Sequence, residues 1–541
     1  MKFIKVNKVN YLQKNEKYFI YVFITLFFFV CFPILKDFGV TLDDEIYYLN
    51  GLNTYNYVKA LFLNITNPEI NLDLYKSKLK EWPIIFEFFL VFLSKIFQIQ
   101  SIDKIYLFSH QINFIIFCIS LIIFYKFISK RFKNFFFSFL SVIFIVLSPR
   151  IFGESFYNSR DIFFMSLFIF YIYFGYIFIE NKNIKNLVLF SIFTALLLNT
   201  KILGIIPIFL FLLFYMYNFL DSSKKLLKEK NIIYLFFLIT IVSIYILWPY
   251  LWSNPIANLY YAFINILKAH ESLVVINFYF GDYIQSDMTP WHYRLVWFLI
   301  TTPLIIILLF SIGVIFQCFT TKKILNKTLK KNYNMDTNQF YDLYLFFCLV
   351  FTFFIVSELN TSKFGGWRHL YFLYPIIIYF TILGFKFLKQ KFTRIYFKFI
   401  ILLIFTNMTY NLIWTVNYHP NQYLYFNNVS KGYFVKNFDL DWWGISHKQV
   451  LDYILKNDDS EKIYVYSKGF TSLRNTYLFL SEKNKSRVIL SKMDNADYII
   501  DNKMKRIRDY KAIDRKVFTK YHILKVEDQP LSVVYKRIDK F

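Results

Sequence analysis

The chain has 541 residues, of which 57% are hydrophobic and 23% aromatic, well above the roughly 45–50% apolar share of a soluble domain, so a soluble globular protein is excluded in favour of a polytopic membrane protein. The formal charge of +26 does not mark a nucleic-acid-binding chain. The basic residues fall in short segments between apolar runs, such as Lys182/Lys185, Lys224/Lys225/Lys228/Lys230 and Lys322/Lys323/Lys327, the distribution of cytoplasmic loops under the positive-inside rule.

The N-terminal tail, with Lys2, Lys5, Lys8, Lys14 and Lys17, is placed in the cytoplasm by the same rule. Residues 17–35 then form an apolar run long enough to cross a bilayer, with no small-residue cleavage site behind it, and read as a permanent anchor rather than a removable signal. It delivers Asp43, Asp44 and Glu45 to the far side of the membrane. Three consecutive acids at a membrane mouth suit a general base, with a metal ligand beside it or without one, for a substrate arriving through the lipid. Taken alone, they suit a solvated topogenic loop equally well.

Ile46 to Leu63 has the pattern of an amphipathic interfacial helix containing Tyr48. The piece from Glu81-Trp82-Pro83 to about Phe97 is short for a span. Counting it as a crossing would put Lys130, Arg131 and Lys133 outside and invert the sign of every later loop, so it is taken as re-entrant or interfacial. Spans are then expected near 104–127, 134–148, 161–179, 186–199, 202–220, 232–250, 295–318, 341–357, 369–388 and 396–414, eleven with the first, and the C-terminus lies outside. The four cysteines, Cys31, Cys118, Cys318 and Cys348, sit in apolar runs without metal-ligand spacing and read as small hydrophobes.

With this topology the unusual polar residues separate by side. Arg150, Glu154, Asn158-Ser159-Arg160-Asp161, Lys201, the segment His270 to Arg294, and Glu358 to His369 all share the outer face with Asp44, whereas the inner loops are plain Lys/Asn linkers. Acids, His and Arg gathered on one leaflet make an active-site rim; single Lys or Arg residues at helix ends also snorkel for no functional reason. The long outer loop 251–294 carries His270 and the run Trp291-His292-Tyr293-Arg294. Trp and Tyr beside His and Arg are able to stack on a sugar ring and hold a phosphate, and are equally ordinary residues of an interface belt.

Hydropathy falls for good after Trp414. A helix over His447–Leu455, a strand over 462–467, a helix over Thr471–Leu480, strands at 487–490 and 498–500 and a hairpin over 521–536 predict a small α/β domain. The expected fold is therefore mostly α, with a transmembrane domain over 1–414 (first outer loop 37–103, long outer loop 251–294) and an extracytoplasmic α/β domain over 415–541. The latter contains no nucleophile elbow, phosphate loop or metal-spacing motif, and is expected to act as a lid or acceptor dock.

Several strings resemble one family when taken together. Asp44-Glu45-x-x-Tyr48 after the first span, Thr200-Lys201-x-x-Gly204, Pro290-Trp291-His292-Tyr293 followed by Thr301-Thr302-Pro303, and Gly366-Trp367-Arg368-His369 leading to Tyr374-Pro375 are similar to the bacterial membrane glycosyltransferases of family 39, which have the GT-C fold and include the protein O-mannosyltransferases and, more distantly, the lipid A aminoarabinose transferases. The junction His419-Pro420-Asn421-Gln422-Tyr423 and the run Asp439-Leu440-Asp441-Trp442-Trp443-Gly444 resemble a region of other bacterial members. The resemblance implies a bacterial inner-membrane enzyme. It would transfer a sugar from a polyprenyl-phosphate donor, with inversion, to a protein, lipid or glycan acceptor on the extracytoplasmic side. By position Asp44 matches the first-loop acid, the general base, and Glu45 would orient it or bind acceptor. Many relatives carry His or Lys with two prolines in the first outer loop where this chain has Glu81-Trp82-Pro83. That departure leaves Lys201, Arg294 and Arg368 for the donor phosphate. Tyr48, Arg160, Asp161, His270, Trp291, His292 and His369 are the expected substrate-binding residues. A divalent cation between Asp44 and Asp161 is chemically open, but nothing in the sequence requires it. The competing reading is a transporter or flippase of lipid-linked saccharides, which calls for polar residues near the bilayer midplane; Glu87, His110, Gln111 and Asn113 are the few candidates.

Overall fold

The structure, a computed structural model, describes residues 18–63, 81–217, 223–272, 274–328, 335–358, 363–468, 473–502 and 513–539. It is mostly helical. The first helix, α1 (Tyr18–Asp37), tightens to a 3-10 turn at its end, where Pro33 takes the first turn because it has no N–H to give to a longer ladder. The acids follow at once, and Asp44 opens α2 (Asp44–Leu63). The piece around residue 90 is the 12-residue helix α3 (Ile85–Ile96), about 18 Å long at 1.5 Å per residue and short of a bilayer's ~30 Å core. It packs against α2 and is not among the helices long enough to span.

Next come α4 (Ile102–Phe132), α5 (Phe135–Val146) and α6 (Pro149–Tyr157). The expected span 134–148 is only the first limb of a broken pair. The chain bends by 68° between α5 and α6, and Pro149 in the first turn of α6 accounts for the break. Helices α7 (Asp161–Glu180), α8 (Ile184–Leu198), α9 (Ile205–Tyr217) and α10 (Ser223–Leu247) continue the bundle, and α11 (Pro255–Ser272) and the short hairpin β1 (Ile276–Tyr279) and β2 (Asp282–Gln285) form the long loop. The expected span 295–318 is divided at Thr302-Pro303 into α12 (Tyr293–Thr301) and α13 (Leu304–Thr328). Helices α14 (Thr337–Glu358), α15 (Tyr374–Lys391) and α16 (Arg394–Asn417) complete the helical part.

Among the described residues eight helices are long and apolar enough to cross a membrane, nine with the bent pair counted as one span, and Ile184–Leu198 and Ile202–Tyr217 are shorter apolar helices. Each span expected from the sequence has a helix at its place.

Far from the acids, Arg131 near the end of α4 donates to both carboxylate oxygens of Asp342 on α14, at 2.9 and 2.5 Å, and Tyr379 of α15 bonds to both partners. Tyr106, near the start of the same helix, lies about 37 Å away at 1.5 Å per residue. Only about a tenth of either charged side chain is exposed. Removing one member of such a pair strands a buried charge. Arg131→Ala is expected to cost about 3–5 kcal/mol, read as a lowered midpoint of thermal unfolding in detergent, while Arg131→Ala/Asp342→Ala loses less than Arg131→Ala alone.

Beyond α16 the chain does not leave the bundle directly. Tyr423, Tyr425, Phe426, Phe438, Leu440, Trp443 and Ile445 belong to the hydrophobic core of the helical part, with the short helix α17 (Tyr433–Asn437) among them. A separate core begins with α18 (Ser446–Asn457). Its Val450, Leu451, Ile454 and Leu455, at the spacing of one helical face, meet Ile463, Val465, Ile500 and Val534 of a five-stranded sheet. The strands are β3 (Ile463–Lys468), β4 (Val488–Leu490), β5 (Tyr498–Asn502), β6 (Phe518–Val526) and β7 (Gln529–Arg537), in the order β4-β3-β5-β7-β6. The first three are mutually parallel, and β7 and β6 add an antiparallel edge. Of the helix expected at Thr471–Leu480, Thr471 lies outside the described residues and the observed helix is α19 (Arg474–Leu478).

Sheet and bundle are joined by a buried carboxylate. Asp441 accepts from Tyr423 Oη (2.5 Å), Ser446 Oγ (2.5 Å), Asn502 Nδ2 (2.7 Å) and the Ile445 N–H (3.0 Å). Four donors from both sides saturate it, which is what a buried carboxylate requires.

Candidate active site

The site is built where helix breaks expose polar residues at one end of the bundle. Asn158 lies just before α7, and its Oδ1 accepts the Asp161 N–H at 2.8 Å, a cap that fixes Asp161 in the helix's first turn, where a negative charge is favoured. Asp161 is 1% exposed. Lys201 sits in the extended residue between α8 and a 3-10 turn over Ile202–Gly204 and forms an ion pair with Asp161 Oδ1. Arg368 and His369 open the 3-10 turn ahead of α15; Arg368 reaches Asp161 Oδ2 at 3.5 Å, and His369 Nδ1 lies 3.9 Å from Oδ1. One carboxylate thus gathers two cations and a histidine from two separate helix breaks.

Arg368 is held by its surroundings more than by its ion pair. Its guanidinium lies 4.2 Å from the ring of Trp443 and 5.3 Å from that of Phe364, contacts favourable to a delocalised cation. Gly365, at φ +66°, permits this placement, since a Cβ there would come within 2.6 Å of Arg368 Nε. That Nε is buried and has no hydrogen-bond partner among the described residues.

A second ion pair lies beside the first. Arg160 Nε meets Glu87 Oε1 of α3 at 2.9 Å, its NH1 donates to the Pro83 carbonyl at 2.8 Å, and its guanidinium covers the Tyr47 ring at 4.0 Å. Gly51 lets α2 approach this closely, because a Cβ there would stand 2.7 Å from the Glu87 carbonyl oxygen. Beneath the cluster, Glu154 of α6 accepts from Tyr371 (2.6 Å) and Asn158 (2.6 Å).

The acid loop closes over this group. Asp43 lies within electrostatic reach of Arg368, Arg160 and Asp161; burial raises its pKa, the two arginines pull it down and Asp161 raises it further. Asp44 accepts the Thr41 N–H at 2.6 Å. Burial is the main cause that pushes its carboxyl up to about 7, opposed by the Thr41 bond and assisted by the neighbouring charges of Asp43 and Glu87. Burial lowers the pKa of Lys201, with Asp161 opposing. A carboxylate titrating near neutrality on the same loop as Asp43, which faces the two arginines, is an arrangement suited to proton removal from a hydroxyl while negative charge leaves on the other side.

Other residues expected in the site have different partners, although Arg294 stays within electrostatic reach of His369. Glu45 is taken by Arg474 of the C-terminal domain in a two-toothed contact of 2.7–2.9 Å. Tyr48 packs edge-on against Tyr106 at 6.3 Å, close to the acids but apart from the cations. Arg294 is buried and donates to the Val356 carbonyl at 2.5 Å; burial lowers its pKa to about 10. His292 Nδ1 bonds to Tyr279 Oη at 2.8 Å, and Trp291 is 59% exposed. The side chain of His270 lies outside the described residues.

Asp43 is one of the three acids expected at the membrane mouth, but its pairing with the arginines is not legible in the sequence. Glu87 was visible as a carboxyl inside an apolar run, normally a signal of function or of a buried partner. Trp443 carried no sequence signal that separated it from other aromatics. Among the described residues no group of three or more His, Cys, Asp or Glu side chains is placed to hold a metal ion.

No protein-family model and no curated protein matches the chain. Among solved structures the chain is similar to ArnT from Cupriavidus metallidurans, both bound to undecaprenyl phosphate and in the apo state, each at a TM-score of 0.49 and 10% identity over 96% of this chain and 98% of that one.

Proposed function

We propose that the protein is a membrane glycosyltransferase of the GT-C type that transfers a sugar from a polyprenyl-phosphate donor to an acceptor on the extracytoplasmic side. The observation that carries this reading is the convergence of Lys201, Arg368 and His369 on Asp161, directly beside the acid loop.

A lipid-linked phosphate stays at the bilayer surface, so its headgroup meets an acceptor only where span ends are polar, and no nucleotide-binding loop is needed to hold it. Lys201 and Arg368 supply the cationic groups for that phosphate, and the unpartnered Nε of Arg368 is the donor that stabilises charge as the phosphate departs. Asp44 removes the acceptor hydroxyl proton. Attack from the Asp44 side, opposite the departing phosphate, inverts the anomeric centre. Asp43, facing the arginines, repels the leaving group if it is ionised, and its raised pKa lessens that cost.

The transporter reading draws less support. Of its midplane candidates, Glu87 is engaged by Arg160, Asn113 donates to the Ser155 carbonyl at 2.9 Å, and His110 packs 5.8 Å from the Phe479 ring. The deciding experiment incubates membranes containing the protein with polyprenyl-phosphate sugars and an envelope extract and follows the label by mass spectrometry. A new glycosidic bond, absent from membranes lacking the protein, is the expected result. Movement of the sugar lipid across sealed vesicles with no new bond would replace this function by transport.

A further inference from the structure

We propose that Asn475 and Arg474 are positioning residues of the transfer reaction: the C-terminal domain holds the acid-bearing loop in its working shape through contacts on either side of Asp43 and Asp44. The inference rests on the glycosyltransferase reading and adds to it a role for the C-terminal domain.

Asn475 is 8% exposed, and its Nδ2 donates to two successive backbone carbonyls of the loop, Thr41 at 2.8 Å and Leu42 at 3.0 Å. The same Thr41 gives its N–H to Asp44 Oδ2 at 2.6 Å. One residue is thus tied at its carbonyl to the C-terminal domain and at its amide to Asp44. On the other flank Arg474 grips Glu45 with two nitrogens. These contacts fall on residues 41, 42 and 45. They touch neither Asp43 nor Asp44, and they leave the Asp43 carboxylate to the arginines. The helix that carries them is seated by Phe479, whose ring lies 6.4 Å from Tyr106 and 5.8 Å from His110 of α4.

Such placement is more than adhesion between domains. The Arg474 side chain is 65% exposed, so its pair with Glu45 contributes little to stability; what it fixes is geometry. Small misplacements of a catalytic group cost rate far more than they cost binding.

The test uses the full-length protein in membranes. Asn475→Ala is expected to lower kcat by about tenfold or more while the donor KM moves by less than about threefold. The acid limb of the kcat/KM profile should move down from about 7 toward the ordinary carboxylate value of about 4 as the loop relaxes and admits water. The groups bearing on Asp44 are Asp43 on its own segment, Glu87 of α3 and Tyr106 of α4, and Tyr106 in turn is faced by Glu45, Tyr48 and Arg474. None changes in this variant, so a moved limb reports loop geometry. Amide exchange of residues 38–48 is expected to quicken.

A charge reversal provides the second arm should Asn475→Ala fail to accumulate. Glu45→Arg and Arg474→Glu each lower kcat, and together they restore it to within about threefold of the parent. A parental kcat and acid limb in Asn475→Ala, or a double reversal no better than either single change, overturns the proposal. Asp44→Asn is run alongside. If the parent itself forms no product, the glycosyltransferase reading fails, and the exchange experiment still decides whether Asn475 holds the loop.

Discussion

Asp44→Asn is expected to reduce transfer by about 10²–10⁴-fold, the range that general-base catalysis contributes, with the protein still present in the membrane at its normal level. The change is nearly isosteric, and the Asn carbonyl oxygen can accept the Thr41 N–H as the carboxylate does, so the loop keeps its shape while the proton acceptor is gone. The same residue sets the pH response of the parent. Partly desolvated, and facing Asp43 and Glu87, Asp44 holds its proton up to about 7. Below that pH the base is neutral and unable to accept, so kcat/KM falls by about tenfold per unit, and above it the profile levels off. Product formation from polyprenyl-phosphate sugar, measured from pH 5 to 9 and normalised to the protein present, checks both. Parental turnover by Asp44→Asn would remove this residue from the base role. An acid limb near 4 in the parent would mean that the base works in an open, solvated setting.

Hydropathy alone located the helices, because a bilayer demands long apolar runs and a chain has few ways to provide them. It missed where runs break. The 68° bend before α6 and the division at Pro303 both come from prolines inside or beside apolar stretches, a signal present in the sequence but outweighed by run length. Asp161, Lys201 and Arg368 were legible as polar residues at the ends of spans on one side. Which of them meet was not, since their separations of 40 and 207 positions are bridged only by the order in which helices pack. The aromatic and basic run Trp291 to Arg294 resembled a sugar-phosphate site, yet the fold uses His292 to bond Tyr279 and Arg294 to hold the end of α14. Residue type does not distinguish a side chain that serves a backbone carbonyl from one that awaits a ligand. Glu45 illustrates the same limit from the other side. Its partner Arg474 stands 429 positions away, in a domain whose docking no local pattern encodes.

Arg368→Ala is expected to damage donor use far more than acceptor use, with kcat falling about 10²–10³-fold, the usual cost of losing one preorganised donor to developing negative charge. Arg368 is the one group of the cluster that combines a loose ion pair, 3.5 Å from Asp161, with a buried Nε lacking a partner and an aromatic face beneath its plane. Lys201, by contrast, is already closed onto Asp161 and has less to offer a phosphate unless that pair opens. Arg368→Lys tests the geometry. It keeps the charge but loses the planar fork and the stacking on Trp443, so it is expected to recover only part of the rate. Kinetics with each substrate varied in turn separate the alternatives. A raised donor KM and a lowered kcat with the acceptor KM unmoved assign Arg368 to the leaving phosphate, whereas a change confined to the acceptor's KM would move this arginine to the acceptor side and leave Lys201 as the phosphate's cation.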